Sequence, residues 1–243
     1  MTHRQPDGNR LRSVPRAIWS YLRSAPGTYI WLAILLMSTM VVRRLSPEAA
    51  RELLGNRSTN LHHLAEDPIH VLISSAFWID GSRWLPYAVL YTIFHAQAER
   101  WLGTLRWLAV LVLAHVGATY LSEGALYWAI RHGNASPDAV FTLDVGVSYA
   151  LAGIVAVLAY RIALPWRLLY ILGVAVVYTA PLISERTFTS LGHFSAMLIG
   201  FACYPFTRGR PGPWNPLTVL RSLGRTETSP ETARPSGKPV HDE

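Results

Sequence analysis

Six apolar stretches dominate this chain: Thr28 to Val42, Trp84 to Ala98, Leu105 to about Ile130, Val145 to Tyr160, Leu168 to Ile183 and Phe188 to Phe206, joined by short polar links. In lipid, each must satisfy its backbone N–H and C=O groups within itself, and runs of this length do so as helices. The expected fold class is an all-α polytopic membrane protein, a bundle of six transmembrane helices. Composition agrees, with 51% hydrophobic and 15% charged residues, unlike an ordinary water-soluble domain. The first stretch is short against the roughly 20 residues a bilayer core asks for. A secretory signal peptide is the competing reading there, although no small-residue cleavage pattern follows it and more apolar stretches do.

Three regions are expected: a basic N-terminal cytoplasmic or interfacial segment over 1–27, a membrane domain over 28–206, and an Arg/Pro/Ser/Thr-rich tail over 207–243 that reads as disordered. In the first region Val14, Ile18 and Leu22 fall at helical spacing beside Arg12, Arg16 and Arg23. That suits a helix lying among lipid headgroups, and a frayed tail is the alternative. Between the first two spans, "DPIHVLISSAFWI" is apolar but too short to cross, so an interfacial or re-entrant segment is expected. The net charge of +7 is an arginine charge, since Lys238 is the only lysine. With both termini inside, Arg100, Arg106, Arg161 and Arg167 fall on the short inner links and the tail arginines join them, whereas Arg43 and Arg44 fall outside. The balance favours a multi-pass protein of the plasma (cytoplasmic) membrane with N- and C-termini cytoplasmic. Long uncharged runs argue against nucleic acid as a partner.

Ionisable and nucleophilic groups inside such spans are costly, which makes them functional candidates. Asp144, Ser148 and His193 stand out. If the fourth span enters near Asp144 and the sixth near Thr187, a rise of 1.5 Å per residue puts Ser148 about 6 Å and His193 about 9 Å in from the same face. A serine and a histidine at one level on two helices fit a nucleophile and its general base, because an unassisted hydroxyl attacks poorly at neutral pH. Each also has an ordinary reading: a serine bonded back to its own helix, a packed histidine, and an aspartate capping a helix N-terminus. Gly146, Ala150 and Gly153 on the fourth span, and Gly192, Ala196 and Gly200 on the sixth, recur at spacings that let two backbones approach closely.

These residues resemble the rhomboid intramembrane serine proteases, whose six-helix core pairs a serine on helix four with a histidine on helix six. The family's G-x-S motif with a glycine five residues after the serine is similar to Gly146-Val147-Ser148 and Gly153. Its histidine motif is similar to His193, Ala196 and Gly200, and its glutamate four before a glycine at the end of helix two to Glu99 and Gly103. The outer loop segment "DPIHVLISSAFWID" also looks like the family's first loop. The resemblance runs from about Thr28 to Phe206. It implies an endopeptidase with Ser148 as nucleophile and His193 as base, acting on a transmembrane or juxtamembrane segment of another protein. The chain departs from the pattern at Tyr149, where the family usually has glycine after the serine. It departs again at Arg83 and Tyr87, which stand where many bacterial members carry a His and an Asn that serve the oxyanion site. The departures carry the alternative, a catalytically inactive rhomboid-fold protein that binds membrane-protein helices.

No cofactor and no metal site are expected. His95 and His115 as axial haem ligands form a third reading, but packing is the simpler role for each. His62, His63 and His70 lack carboxylate or cysteine partners at ligand spacing, and the single Cys203 reads as core filler. The partners expected are the lipid bilayer and a transmembrane substrate or client helix, with the oligomeric state left open.

Overall fold

The computed structural model describes residue 16 and residues 18–218; Arg12, Val14 and residues 219–243 lie outside the described residues, and with them half of the N-terminal helical pattern and most of the tail. A short helix α1 (residues 18–23) leads into α2 (Pro26–Arg43). The first connection folds into α3 (Pro47–Gly55), α4 (Leu61–Glu66) and α5 (Pro68–Ser75), capped by the side chains of Ser46, Asn60 and Asp67 respectively. Here α5 is the short apolar segment, eight residues long, and too short to cross a bilayer.

The second apolar stretch is continuous in three pieces: α6 (Trp84–Leu90), a π-helical turn over Tyr91–His95, and α7 (Ala96–Leu102). Then follow α8 (Thr104–Arg131), α9 (Val147–Val157) with a 3-10 extension over Leu158–Arg161, α10 (Trp166–Ser184) and α11 (Phe188–Ala202). The described residues hold no strand beyond an isolated parallel bridge between Ile162 and Trp214. Three helices, α2, α8 and α10, are each long and apolar enough to cross a membrane; α9 with its extension and α11 are apolar but shorter.

The core forms around α9, where every residue from Tyr149 to Val157 is buried. It packs against α8 and α11. By contrast α10 buries only Val174 and turns Leu168, Leu172, Val176 and Val177 outward, an exposure that suits hydrocarbon rather than water. On the other flank, Trp31 of α2 meets Tyr91, His95 and Trp107 edge-on, with centroids 5.3, 5.6 and 6.2 Å away.

Glu99 of α7 binds α2 and the start of α8 together. Its carboxylate is 2% exposed and accepts from Gly27 N–H at 2.9 Å, Thr28 N–H and Oγ1 at 2.8 Å, and Thr104 Oγ1 at 2.8 Å. Four residues on, Gly103 has φ +80, a left-handed turn between α7 and α8 that a side chain resists. The Glu99-to-Gly103 spacing is therefore structural: one residue anchors α2 and the other turns the chain.

The expected disordered tail does not begin at Thr207. Trp214 N–H donates to the Arg161 carbonyl at 2.7 Å, Ala163 N–H donates to the Trp214 carbonyl at 2.9 Å, and Trp101 Nε1 donates to the Pro211 carbonyl at 3.2 Å. These long-range bonds pin residues 211–214 against the end of α9.

Candidate active site

Ser148 lies in the first turn of α9, whose N-cap residue is Gly146. The expected cap at Asp144 is not made: the backbone from Thr142 to Val145 is irregular, and no side chain caps the helix. Asp144 is held instead by the first connection. Its N–H donates to Ser58 Oγ at 2.7 Å, and its carbonyl accepts from Thr59 N–H at 2.8 Å, Ser58 Oγ at 3.0 Å and Thr59 Oγ1 at 3.1 Å. The carboxylate takes a longer bond from Thr59 Oγ1 at 3.4 Å. In this loop ahead of α9, burial pushes the Asp144 carboxyl up to about 6, against the opposing pull of hydrogen-bond donors.

The start of α9 is held from two further sides. Tyr91 OH donates to the Val147 carbonyl at 3.0 Å. The His115 imidazole of α8 packs so tightly on Gly146 that a Cβ there would overlap its ring, and His115 Nε2 meets the Leu72 carbonyl at 2.8 Å. Gly146 thus makes room for His115 rather than for α11, as its place in the small-residue series suggested. His95 is engaged elsewhere, stacked on Tyr91 at 3.9 Å and accepting from Trp107 Nε1 at 3.2 Å. The two histidines therefore serve different contacts.

The other small residues bring α9 and α11 together. A Cβ on Gly200 would overlap the Gly153 carbonyl, and one on Gly153 would overlap Ala114 of α8. The two helices cross backbone to backbone at this point. One turn nearer the loops, the Tyr149 ring fills the space over Gly192 and meets His193 edge-on, centroids 5.0 Å apart at 78°. Tyr178 of α10 lies nearly parallel to His193 on the other side, at 6.2 Å. Tyr149 is fully buried, and its hydroxyl lies among Ser122 and the carboxylates of Asp144 and Glu123, with no bond of standard hydrogen-bond geometry to any of the described residues. Its bulk turns into the bundle.

Ser148 is half-buried, and its hydroxyl makes no hydrogen bond with a described residue; none joins it to His193. Residues three and seven on, Leu151 and Val155, share its helical face. They line an apolar cleft of about 390 Å³, closed on one side by Leu90 and Phe94 and on the other by Val174, Val177 and Tyr178 of α10. Arg83 is exposed at the N-terminus of α6 and Tyr87 packs edge-on against Tyr91 at 6.3 Å. Neither bonds to the serine segment; Tyr91, one turn beyond Tyr87, does.

A family model described as rhomboid-like protein matches residues 20–213. The chain belongs to the rhomboid-like family. It is a rhomboid-like membrane protein, and the match takes in α9, α11 and the Trp214-side strap as far as residue 213. No curated protein and no solved structure matches the chain. Among the described residues, no three His, Cys, Asp or Glu side chains come together as a metal site. Tyr91 and Tyr178, beside the candidate residues, are ones that sequence reading missed, and His115 it read as packing without placing it against Gly146. Only His115 carried a signal, as an ionisable group inside an apolar run.

Proposed function

We propose that this rhomboid-like chain is an intramembrane serine protease in which Ser148 attacks the scissile carbonyl and His193 takes its proton, then returns it to the leaving amine. The observation that carries the reading is the α9–α11 crossing. Gly153 and Gly200 bring the backbones into contact, and one turn away the His193 ring lies beside the first turn of α9 through Tyr149. The serine there has an unpartnered hydroxyl at an uncapped helix start. The first N–H groups of such a helix point toward its positive end, and an oxyanion formed on a carbonyl attacked by Ser148 would find them there. Catalytic hydrogen bonds often tighten only when substrate binds, so the missing Ser148–His193 bond is compatible with this role. The substrate is a membrane-protein segment entering beside Leu151 and Val155. We place all six apolar stretches across the plasma membrane, with both termini cytoplasmic and Ser148 toward the opposite side.

A second reading has its own observation. His193 is held against Tyr149 and Tyr178, and its one hydrogen-bonding neighbour among the described residues is the Thr189 backbone one turn back, as a packing residue would be. On that reading the same cleft binds a client helix without cutting it.

Labelling with a fluorophosphonate or isocoumarin probe separates the two. The protease labels in detergent, and Ser148→Ala and His193→Ala lose the label while remaining folded. Equal labelling of folded wild type and Ser148→Ala leaves the binding role.

A further inference from the structure

At the face of the bundle carrying α1 and the 211–214 strap, the arginines outnumber their counter-charges. Arg100 and Arg161 line one cavity of about 700 Å³ there, with Tyr21, Gln97, Trp101 and Trp214. Arg100 lies on the Tyr21 ring, 3.7 Å from its centroid, and donates to Ser24 Oγ at 2.6 Å and the Tyr21 carbonyl at 3.0 Å. Arg161 donates through Nη1 to the Gly212 carbonyl and stands 5.9 Å from the centre of the Trp101 ring. Every one of these acceptors is neutral, and among the described residues neither guanidinium has a carboxylate partner. The carboxylate nearest in sequence, Glu99, is buried and fully used by α2 and Thr104. A guanidinium carries five donors in a fork that fits phosphate, and among the described residues Arg161 gives only one of its own, to the Gly212 carbonyl.

The cavity does not end at the arginines. Phe94 and Tyr170 line both it and the apolar cleft beside Leu151 and Val155, so polar mouth and apolar groove adjoin. From Tyr170 to Tyr178 the groove runs along α10 for about 12 Å at 1.5 Å per residue. Its outer wall is the helix whose surface is otherwise open. A cationic mouth leading into an apolar slot is the shape of an amphiphile.

From this adjacency we infer that the groove between the α6–α7 segment and α10 is a binding site for an anionic phospholipid. Its phosphate lies between Arg100 and Arg161, and an acyl chain lies along Phe94, Tyr170, Val174 and Val177. The site goes beyond the proteolytic reading, and holds whether or not Ser148 cuts. An occupant of this slot shares the cleft beside Leu151 and Val155, so a client segment must displace it.

The test uses the full chain, delipidated in detergent, with bound lipid counted by native mass spectrometry and melting followed in parallel. Phosphatidylglycerol is expected to bind and raise the melting temperature. Phosphatidylcholine, with the same phosphate but a compensating cation, is expected to bind at least 10-fold more weakly, and inorganic phosphate not to compete at equal concentration. Arg100→Gln with Arg161→Gln should lose the phosphatidylglycerol, while Arg131→Gln with Arg186→Gln, at the opposite face, should retain it. Because Arg100 also holds α1 and Arg161 the strap, a second variant probes the groove alone. Gly173 lines the apolar slot and a Cβ there meets nothing within 4 Å, so Gly173→Leu should fold, block the acyl chain and release lipid. Retention of phosphatidylglycerol by both variants overturns the proposal. Equal binding of phosphatidylcholine would reduce the site to a greasy groove, and competition by inorganic phosphate would reduce it to an ion site; either result also overturns it.

Discussion

Tyr91 and Val147, on separate apolar segments, are joined by a 3.0 Å hydrogen bond from the tyrosine hydroxyl to the carbonyl one residue before Ser148. Tyr91 is fully buried and stacked on His95, so the bond fixes where α9 begins.

Tyr91→Phe keeps the stack and removes that donor. A buried carbonyl left without its partner costs about 1 to 2 kcal/mol. The variant is expected to melt lower than wild type and, if Ser148 is a nucleophile, to label more slowly with a fluorophosphonate. Unchanged melting would show that the bond does not hold the α9 start.

Two glycines on neighbouring helices should respond in opposite directions. Gly200→Ala drives a methyl into the Gly153 backbone and should cost about 1 to 3 kcal/mol as the helices separate. Gly173→Ala meets open space and should gain up to about 1 kcal/mol from helix propensity. Thermal melting in one detergent compares them directly.

Tyr149 divides into ring and hydroxyl. Its hydroxyl is buried among polar side chains but makes no bond of standard geometry to the described residues, so Tyr149→Phe should change stability by less than about 1 kcal/mol. Tyr149→Ala empties the space over Gly192 and beside His193, and should cost about 3 to 5 kcal/mol. Loss of probe labelling in the alanine variant alone would identify the ring as what positions His193.

Asp144 predicts a pH dependence. Its folded carboxyl titrates at about 6 against an ordinary 3.8, so between those values the folded protein holds the proton and the unfolded chain has lost it. Stability from this group is greatest below about pH 4, falls as pH rises to 6 and is then flat, a total of about 3 kcal/mol. Asp144→Asn should remove that slope from melting curves taken between pH 4 and 7, and should leave probe labelling intact. Loss of labelling in the folded Asn variant would instead restore Asp144 as a partner of His193.

The apolar runs were legible because burial in lipid leaves a run-length signal that needs no tertiary information. The Gly153 and Gly200 contact was legible for a related reason: small residues at helical spacing announce a close approach on any helix. What escaped was determined by distant chain. Asp144 reads as a cap in its local sequence, yet Ser58 and Thr59 hold its backbone and delay the helix to Val147. Tyr87 occupies the position that counting back from Glu99 selects, but the π turn over Tyr91–His95 lies between them and breaks the α-helical register. The Trp214 strap has a polar, Pro-rich sequence with no local reason to be ordered, and its long-range bonds to Trp101, Arg161 and Ala163 make it so.

The carboxylate of Glu99 also imposes an order on biosynthesis. α2 starts without a side-chain cap of its own, and the N–H groups of Gly27 and Thr28 find their acceptor 72 and 71 residues later in the chain. Those amides gain their protein acceptor only once the chain as far as Glu99 has been made, so α2 and α7 settle together rather than α2 alone.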